Sequence, residues 1–312
     1  MLHTAYPSNA ETFHRKLADF NETRLAVGKP SVAWQETLAL EFAMRIAEGQ
    51  YLEVLRQEIS DLLPSPDCSF PEFIRWFETL AEHGPGQDHP LFDWLETQAD
   101  PAELRWFLTQ EAAGEAGFDD LVAYAQVKLP MPAKLECARN YWDEMGHGKE
   151  RAVHGLLLDR MVQELGLTPS RDDTVWESLA LSNTMVGLAT TRRYAYHALG
   201  ALGAIELTAP SRVKKVSAAM KRVGMSAGTR GYFDLHAALD ISHGRAWISE
   251  VIGTLAADDP SSQPFLAEGA LMRLTCGKRC FDRYATAFRL GCAEQQNRFD
   301  VANDAYRVHS AC

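Results

Sequence analysis

Between successive turn signals the chain repeats apolar residues at three- and four-residue intervals, the spacing that lines one face of an α-helix. No convincing run alternates with the two-residue period of a strand. Start and stop signals place the helices along this pattern. Ser8-Asn9-Ala10 opens a first helix to about Ala26, and Pro30-Ser31 opens a long one that runs through Leu63 and stops at Pro64-Ser65-Pro66. Ser69-Phe70-Pro71-Glu72 sets proline in a first helical turn, and Gly84-Pro85-Gly86 ends that segment. Further helices are expected over 88–99, 102–117, 118–129, 133–146, 149–165, 173–189, 192–208, 211–223, 231–255 and 265–290. The pattern predicts an all-α protein with no internal repeat. Residues 1–95 carry no cluster of chemistry-bearing side chains and are expected to form accessory N-terminal helices or a homodimer surface. A core is expected over 96–292, and a polar, frayed tail over 293–312.

One stretch breaks the apolar pattern. In Tyr-Phe-Asp-Leu-His-Ala-Ala-Leu-Asp-Ile-Ser-His-Gly-Arg-Ala-Trp, residues 232–247, His236, Asp240 and His243 stand at i, i+4 and i+7. At 3.6 residues per turn all three fall within roughly 60° of one another, on the stripe where a globular helix carries Leu or Val. An unpaired ionised carboxylate is costly to bury there, so the triplet is either a hydrogen-bonded cluster or a set of metal ligands. Candidate partners lie upstream. Glu144-Met-Gly-His147 has the i, i+3 spacing with which helical di-iron carboxylate proteins aim two ligands at one site. Glu11-Thr-Phe-His14 has the same spacing in a polar first helix and is a chance match. Glu206 follows an apolar face near the end of its helix, where the helix dipole disfavours a negative charge unless a cation is near. Glu111 sits among small residues that let other helices approach closely. Glu111, Glu144, His147, Glu206, His236, Asp240 and His243 together supply four carboxylates, whose charge matches two divalent cations. Their nitrogen and oxygen donors suit iron, manganese or zinc.

The order and spacing of these seven residues resemble the haem-oxygenase-like di-metal oxidases and oxygenases, over about residues 100 to 250. The family carries a lone Glu, then Glu-x-x-His, a further Glu, and His-x-x-x-Asp-x-x-His. The resemblance implies a haem-oxygenase-like helical bundle holding two Fe(II) ions. It also implies O2 as co-substrate, a small-molecule substrate such as an amino acid or fatty acid, and room for an external electron donor. The implied outcomes are N-oxygenation, desaturation or oxidative C–C cleavage. Two positions depart from the pattern. The extra carboxylate of N-oxygenating members falls at Cys137, with Glu136 pointing about 100° away. Some relatives draw a histidine from further along this helix, which makes His154 an alternative ligand to His147. For a substrate carboxylate the planar fork of arginine is the natural anchor. If the helix continues through Gly148, Arg151 lies one heptad beyond Glu144 on the same face, whereas Arg192 is too far from Glu206. Tyr232 and Trp247 extend the 236–243 stripe as core aromatics. A di-zinc or di-manganese hydrolase, a metal-free helical interaction protein and a ferritin-like bundle are the competing readings.

Composition narrows the partners. A net charge of −11 and the absence of a clustered basic face exclude a nucleic-acid footprint. The densest basic stretch, from Arg212 to Lys221, reads as a solvated helix face. No apolar run is long enough to span a bilayer and the N-terminus lacks a signal-like pattern, so a cytoplasmic location without membrane contact is expected. Six scattered cysteines form no disulfide scaffold; Cys276 and Cys280 share a face as small core residues. The three glycines of 223–231 predict a hinge before the His-Asp-His helix.

Overall fold

The computed structural model describes residues 9–290. The expected tail at 293–312, with Cys312, and also Cys292 lie outside the described residues. Helices account for almost all of the order: α1 (Ala10–Leu25), α2 (Trp34–Glu58), α3 (Phe70–His83), α4 (Pro90–Thr97), α5 (Pro101–Gly114), α6 (Phe118–Ala125), α7 (Met131–Glu144), α8 (His154–Glu164), α9 (Trp176–Thr190), α10 (Ala195–Arg222), α11 (Gly231–Ala246), α12 (Gly253–Asp258) and α13 (Gln263–Ala287). Several starts are set by side chains that satisfy free amide donors. Asn9 accepts from the Thr12 amide, and Ser69 with Glu72 and Asp100 with Glu103 form capping boxes, each followed by a proline in the first turn. None of the helices among the described residues is long and apolar enough to cross a membrane.

The fold is built around α10, whose residues Ala198 to Ala204 are all buried. It crosses α13 at two glycines. A Cβ on Gly200 would be driven into the Leu266 carbonyl, and one on Gly269 into the His197 carbonyl, so the two backbones lie in direct contact. Gly203 leaves space for the Trp247 indole, which donates to the Leu199 carbonyl at 3.1 Å. Around this axis lies one apolar cluster that includes Leu52, Leu55, Phe73 and Phe77 from the N-terminal helices. A second joins Leu91, Phe92 and Leu95 of α4 to Phe107 and Phe281. Helix α1 is further tied to α9 and to α2 by buried polar groups: Asn183 of α9 donates to the His14 carbonyl at 2.9 Å, and Arg24 of α1 pairs with Glu48 of α2 at 3.1 Å. Cys276 and Cys280 are buried free thiols, as their shared face predicts.

Three boundaries differ from the sequence reading. The helices expected at 192–208 and 211–223 are one, and α10 runs straight through Pro210. Proline removes one backbone donor, which leaves the carbonyl of Glu206, four residues earlier, without its helical partner. Packing holds the helix across the gap: α11 comes so close here that a Cβ on Gly244 would lie 2.9 Å from that carbonyl oxygen. The segment expected as 231–255 is α11, then a π-helical turn at Trp247–Ile252, then α12. The third is the break between α7 and α8 described below. The predicted hinge before α11 is a hydrogen-bonded turn, in which Thr229 donates to Glu164 at 2.7 Å and pairs with Ser226 at 2.7 Å.

Gly200→Ala is expected to destabilise the protein by at least about 2 kcal/mol, because the clash is with backbone that cannot rotate away. Gly155→Ala in α8, where an added Cβ meets nothing within 4 Å, serves as the control. Urea denaturation of both variants checks the contrast, and an unchanged midpoint for Gly200→Ala would contradict the described crossing.

Candidate metal centre

The site begins where α7 ends. Gly146 (φ 58°), His147 (φ 55°) and Gly148 (φ 74°) all adopt left-handed backbone, which terminates the helix just after Glu144. A Cβ on Gly146 would collide with the Ala152 carbonyl group. Two short 3-10 turns at Gly146–Gly148 and Glu150–Ala152 carry the chain out and back before α8 starts at His154. This detour decides which histidine meets Glu144. His154 is buried and its Nδ1 lies 2.8 Å from Glu144 Oε2. His147 is turned outward, 63% exposed, with its Nε2 on Asp143 Oδ1 at 2.5 Å. Arg151 sits exposed on the second turn and is not among the residues lining the cavity described below, since the helix that would have carried it onto the Glu144 face is interrupted.

Helix α11 supplies the opposite wall. His236 donates from Nδ1 to the Tyr232 carbonyl at 2.7 Å, which leaves Nε2 as the acceptor, 3.2 Å from His154 Nδ1. This is the arrangement by which a backbone carbonyl orients a metal-ligating imidazole. Two turns on, His243 Nε2 lies 3.0 Å from Asp143 Oδ2, and its Nδ1 lies 3.6 Å from Glu206 Oε2. Asn140, one turn before Glu144, donates to Glu206 Oε1 at 2.6 Å. Two groups result whose candidate ligand atoms lie within 4.8 Å of one another: Glu144 with His154 and His236, and Glu144 with Glu206 and His243. Glu144 belongs to both.

Asp240 and Glu111 stand outside these two groups but line the same cavity, a space of about 170 Å³ that Glu144, Glu206, His236 and Glu115 also face. Glu111 accepts from the Tyr284 hydroxyl at 3.1 Å. Asp240 and Glu206 face a second space as well, an open groove of about 1010 Å³ bordered by α3, α10, α11 and α12.

The electrostatics are those of carboxylates crowded together with too little positive charge. Burial pushes Asp240 up to about 9, and the neighbouring Glu206 adds to the shift. Burial likewise raises Glu206 and Glu111, opposed by hydrogen bonds from His243 and Tyr284 respectively. Burial would lower His243, but its bonds to Glu206 and Asp143 outweigh this and raise it to about 9. His236 is lowered, by burial first, against the attraction of Glu144. Asn140 Oδ1 is buried without a partner. No Lys or Arg forms an ion pair with Glu111, Glu144, Glu206 or Asp240 among the described residues. A pair of divalent cations would supply the missing charge, and imidazole plus carboxylate donors fit iron, manganese or zinc. The donor set therefore fits the metals it suggested.

Some participants had only weak signals in the sequence. Asn140 and Asp143 share helical faces with Glu144 and His147 and could have been picked out by periodicity. Arg212, read as part of a solvated basic stretch, instead turns into the cavity together with Arg273, whereas Lys214 and Lys221 are exposed as expected. Nothing local in the sequence marks Arg273 or Glu115.

An all-α bundle whose central helices bring carboxylates and imidazoles around one shared glutamate defines a helical metalloprotein class. A family model described as iron-containing redox enzyme matches residues 105–278, more than half of the chain, and the protein belongs to that family. Its fold is the haem-oxygenase-like bundle. Two crystal structures of a CADD-like protein of unknown function from Nostoc punctiforme are similar in fold, each with a TM-score of 0.54. They are 18% and 17% identical to this chain, covering 70% of it and 97% and 95% of their own chains. No curated protein matches the sequence.

The titrations give a signed expectation for protein kept free of metal by a chelator. Unfolded, Asp240 would release its proton near the ordinary value of about 3.9, whereas folded it keeps it to about 9. His243 contributes stability that is complete below its unfolded value of about 6.5 and is lost as pH rises through about 9. In both cases the native state holds more protons across the interval, so stability falls as pH rises from 6.5 to 9. Melting temperature measured across that range should decline, and Asp240→Asn should flatten the decline and be more stable than the parent at pH 8. A parent melting temperature that rises over this range would contradict the described burial.

Proposed function

We propose that the protein is a non-haem di-iron oxidase or oxygenase that uses O2 to oxidise a small molecule, an amino acid or related carboxylate. Membership of an iron-containing redox family supports iron and oxidoreductase chemistry in general. The observation that carries the di-metal reading is Glu144, whose carboxylate belongs to two ligand groups at once. On this reading His154 and His236 would hold one ion and Glu206 and His243 the other, with Glu144 available to both. Asp240 and Glu111 are the further carboxylates, facing the same space. When bound, the two ferrous ions would supply the electrons that activate O2 for desaturation, oxidative C–C cleavage or N-oxygenation.

The chain's own residues do the rest. The Tyr232 carbonyl and Asp143 fix the ring orientations of His236 and His243. Asn140 holds Glu206, and Phe107, Phe233 and Leu158 keep the cavity wall dry. His147 acts through Asp143 as an outer support to His243, while His154 takes the ligand position that the Glu-x-x-His spacing suggested for His147.

Anaerobic titration with ferrous iron should saturate at two ions per chain, and later exposure to O2 should give turnover with a suitable small carboxylate. His154→Ala should lose about one ion per chain and all turnover, whereas His147→Ala should keep both ions and weaken turnover by at most about tenfold, in line with loss of an outer hydrogen-bonding partner. The opposite pattern would return the ligand role to His147. Saturation by zinc or manganese, with no oxidation of any substrate, would favour a hydrolase.

A further inference from the structure

Two arginines in the cavity wall are unaccounted for by the metal ligands. Arg212 of α10 hydrogen-bonds only neutral partners, Gln87 at 3.1 Å and Thr208 at 3.2 Å. Its guanidinium lies 5.5 Å from the ring centre of Phe281 and 6.0 Å from that of Phe92. Arg273 of α13 lines the same cavity, half-buried, and makes neither an ion pair nor a hydrogen bond among the described residues. The two charges are close enough to repel: Arg212 is lowered to about 9, by burial first and by Arg273 second, with Glu111 acting in the opposite sense. Glu111 faces both arginines and Glu115 faces Arg273, but burial raises both carboxyls and neither is in an ion pair with them, so an anion lying between the two guanidinium groups would give each the direct charge-assisted contact it lacks.

We infer that Arg212 and Arg273 form an anion pocket that takes the carboxylate of a small monocarboxylate, holding it at the end of the cavity away from the clustered metal ligands. Arg212 is six residues beyond Glu206 on α10, about 9 Å along the helix axis. A ligand gripped there by its carboxylate presents its other end to Glu144 and His236. The wall between is apolar, with Phe107, Phe233, Val213 and Val216. Size restricts the ligand further. A cavity of about 150 Å³ is filled by benzene, and drug-sized ligands need about 300 Å³ or more. The 170 Å³ here accepts a compact body, such as one ring or a short branched chain, and excludes a long fatty acyl chain. The inference rests on the di-metal reading for what happens to the bound molecule; the grip on the carboxylate needs no metal.

Phenylacetate is a suitable probe, with phenylacetamide as its uncharged analogue and dodecanoate as the long-chain test. Binding is read by ligand-observed NMR and calorimetry on chelated and iron-loaded protein. Phenylacetate should bind both forms, at least tenfold more tightly than phenylacetamide, and dodecanoate should not displace it. Arg212→Gln and Arg273→Gln should each weaken phenylacetate at least tenfold, leave phenylacetamide unchanged and leave iron uptake at the parental stoichiometry. Equal binding of acid and amide by the parent protein, or undiminished phenylacetate binding in the double variant, would overturn the inference. The amide comparison stands even if a variant fails to fold. Arginine-dependent binding in a protein that takes up no iron would uphold the pocket and sink the di-iron reading; two bound irons without selectivity for the acid would do the reverse.

Discussion

Everything at the centre of this molecule follows from putting Glu144, Glu206 and Asp240 out of water beside one another. A buried carboxylate tolerates that position only when protonated, hydrogen-bonded or paired with a cation. Here each solution is used in part. Asp240 keeps its proton far above the usual range, Glu206 leans on Asn140 and His243, and Glu144 shares a short contact with His154. The arrangement is held in readiness for positive charge, and the surrounding helices are what prevent the carboxylates from moving apart.

That restraint comes from backbone contact more than from large side chains. Gly200 and Gly269 bring α10 against α13, and Gly244 brings α11 against α10 next to Glu206. Each glycine removes a side chain so that a functional group nearby is set by main-chain position, which is stiffer than any rotamer. The interruption after Glu144 works in the same sense. By leaving the helix for nine residues and rejoining it at His154, the chain places an imidazole where a straight helix would have carried another side chain.

The His236, Asp240 and His243 stripe was legible in the sequence because it lies within one uninterrupted helix, where spacing translates directly into direction. The all-α character was legible for the same reason, from periodicity alone. His147 and Arg151 illustrate the limit. Their expected directions assumed continuous helix across Gly146 and Gly148, and the left-handed backbone at 146–148 removes that assumption. Pro210 misled in the other direction, since a local breaker was overruled by packing on both sides of α10. Arg212 and Arg273 come from helices far apart in sequence, and only the tertiary fold makes them neighbours. The basic stretch around Arg212 looked uniform because sequence spacing does not say which of its members faces a cavity.

Glu206 and Asp240 line both the inner cavity and the outer groove. These two carboxylates therefore form part of the layer between the two spaces. A molecule seated inside covers one face of that layer and leaves the other turned toward bulk solvent, so filling the cavity cannot by itself keep water from the reacting centre. Where they stand, separation of the two spaces falls to these two side chains themselves. In this protein the groups expected to hold the metals are also the door.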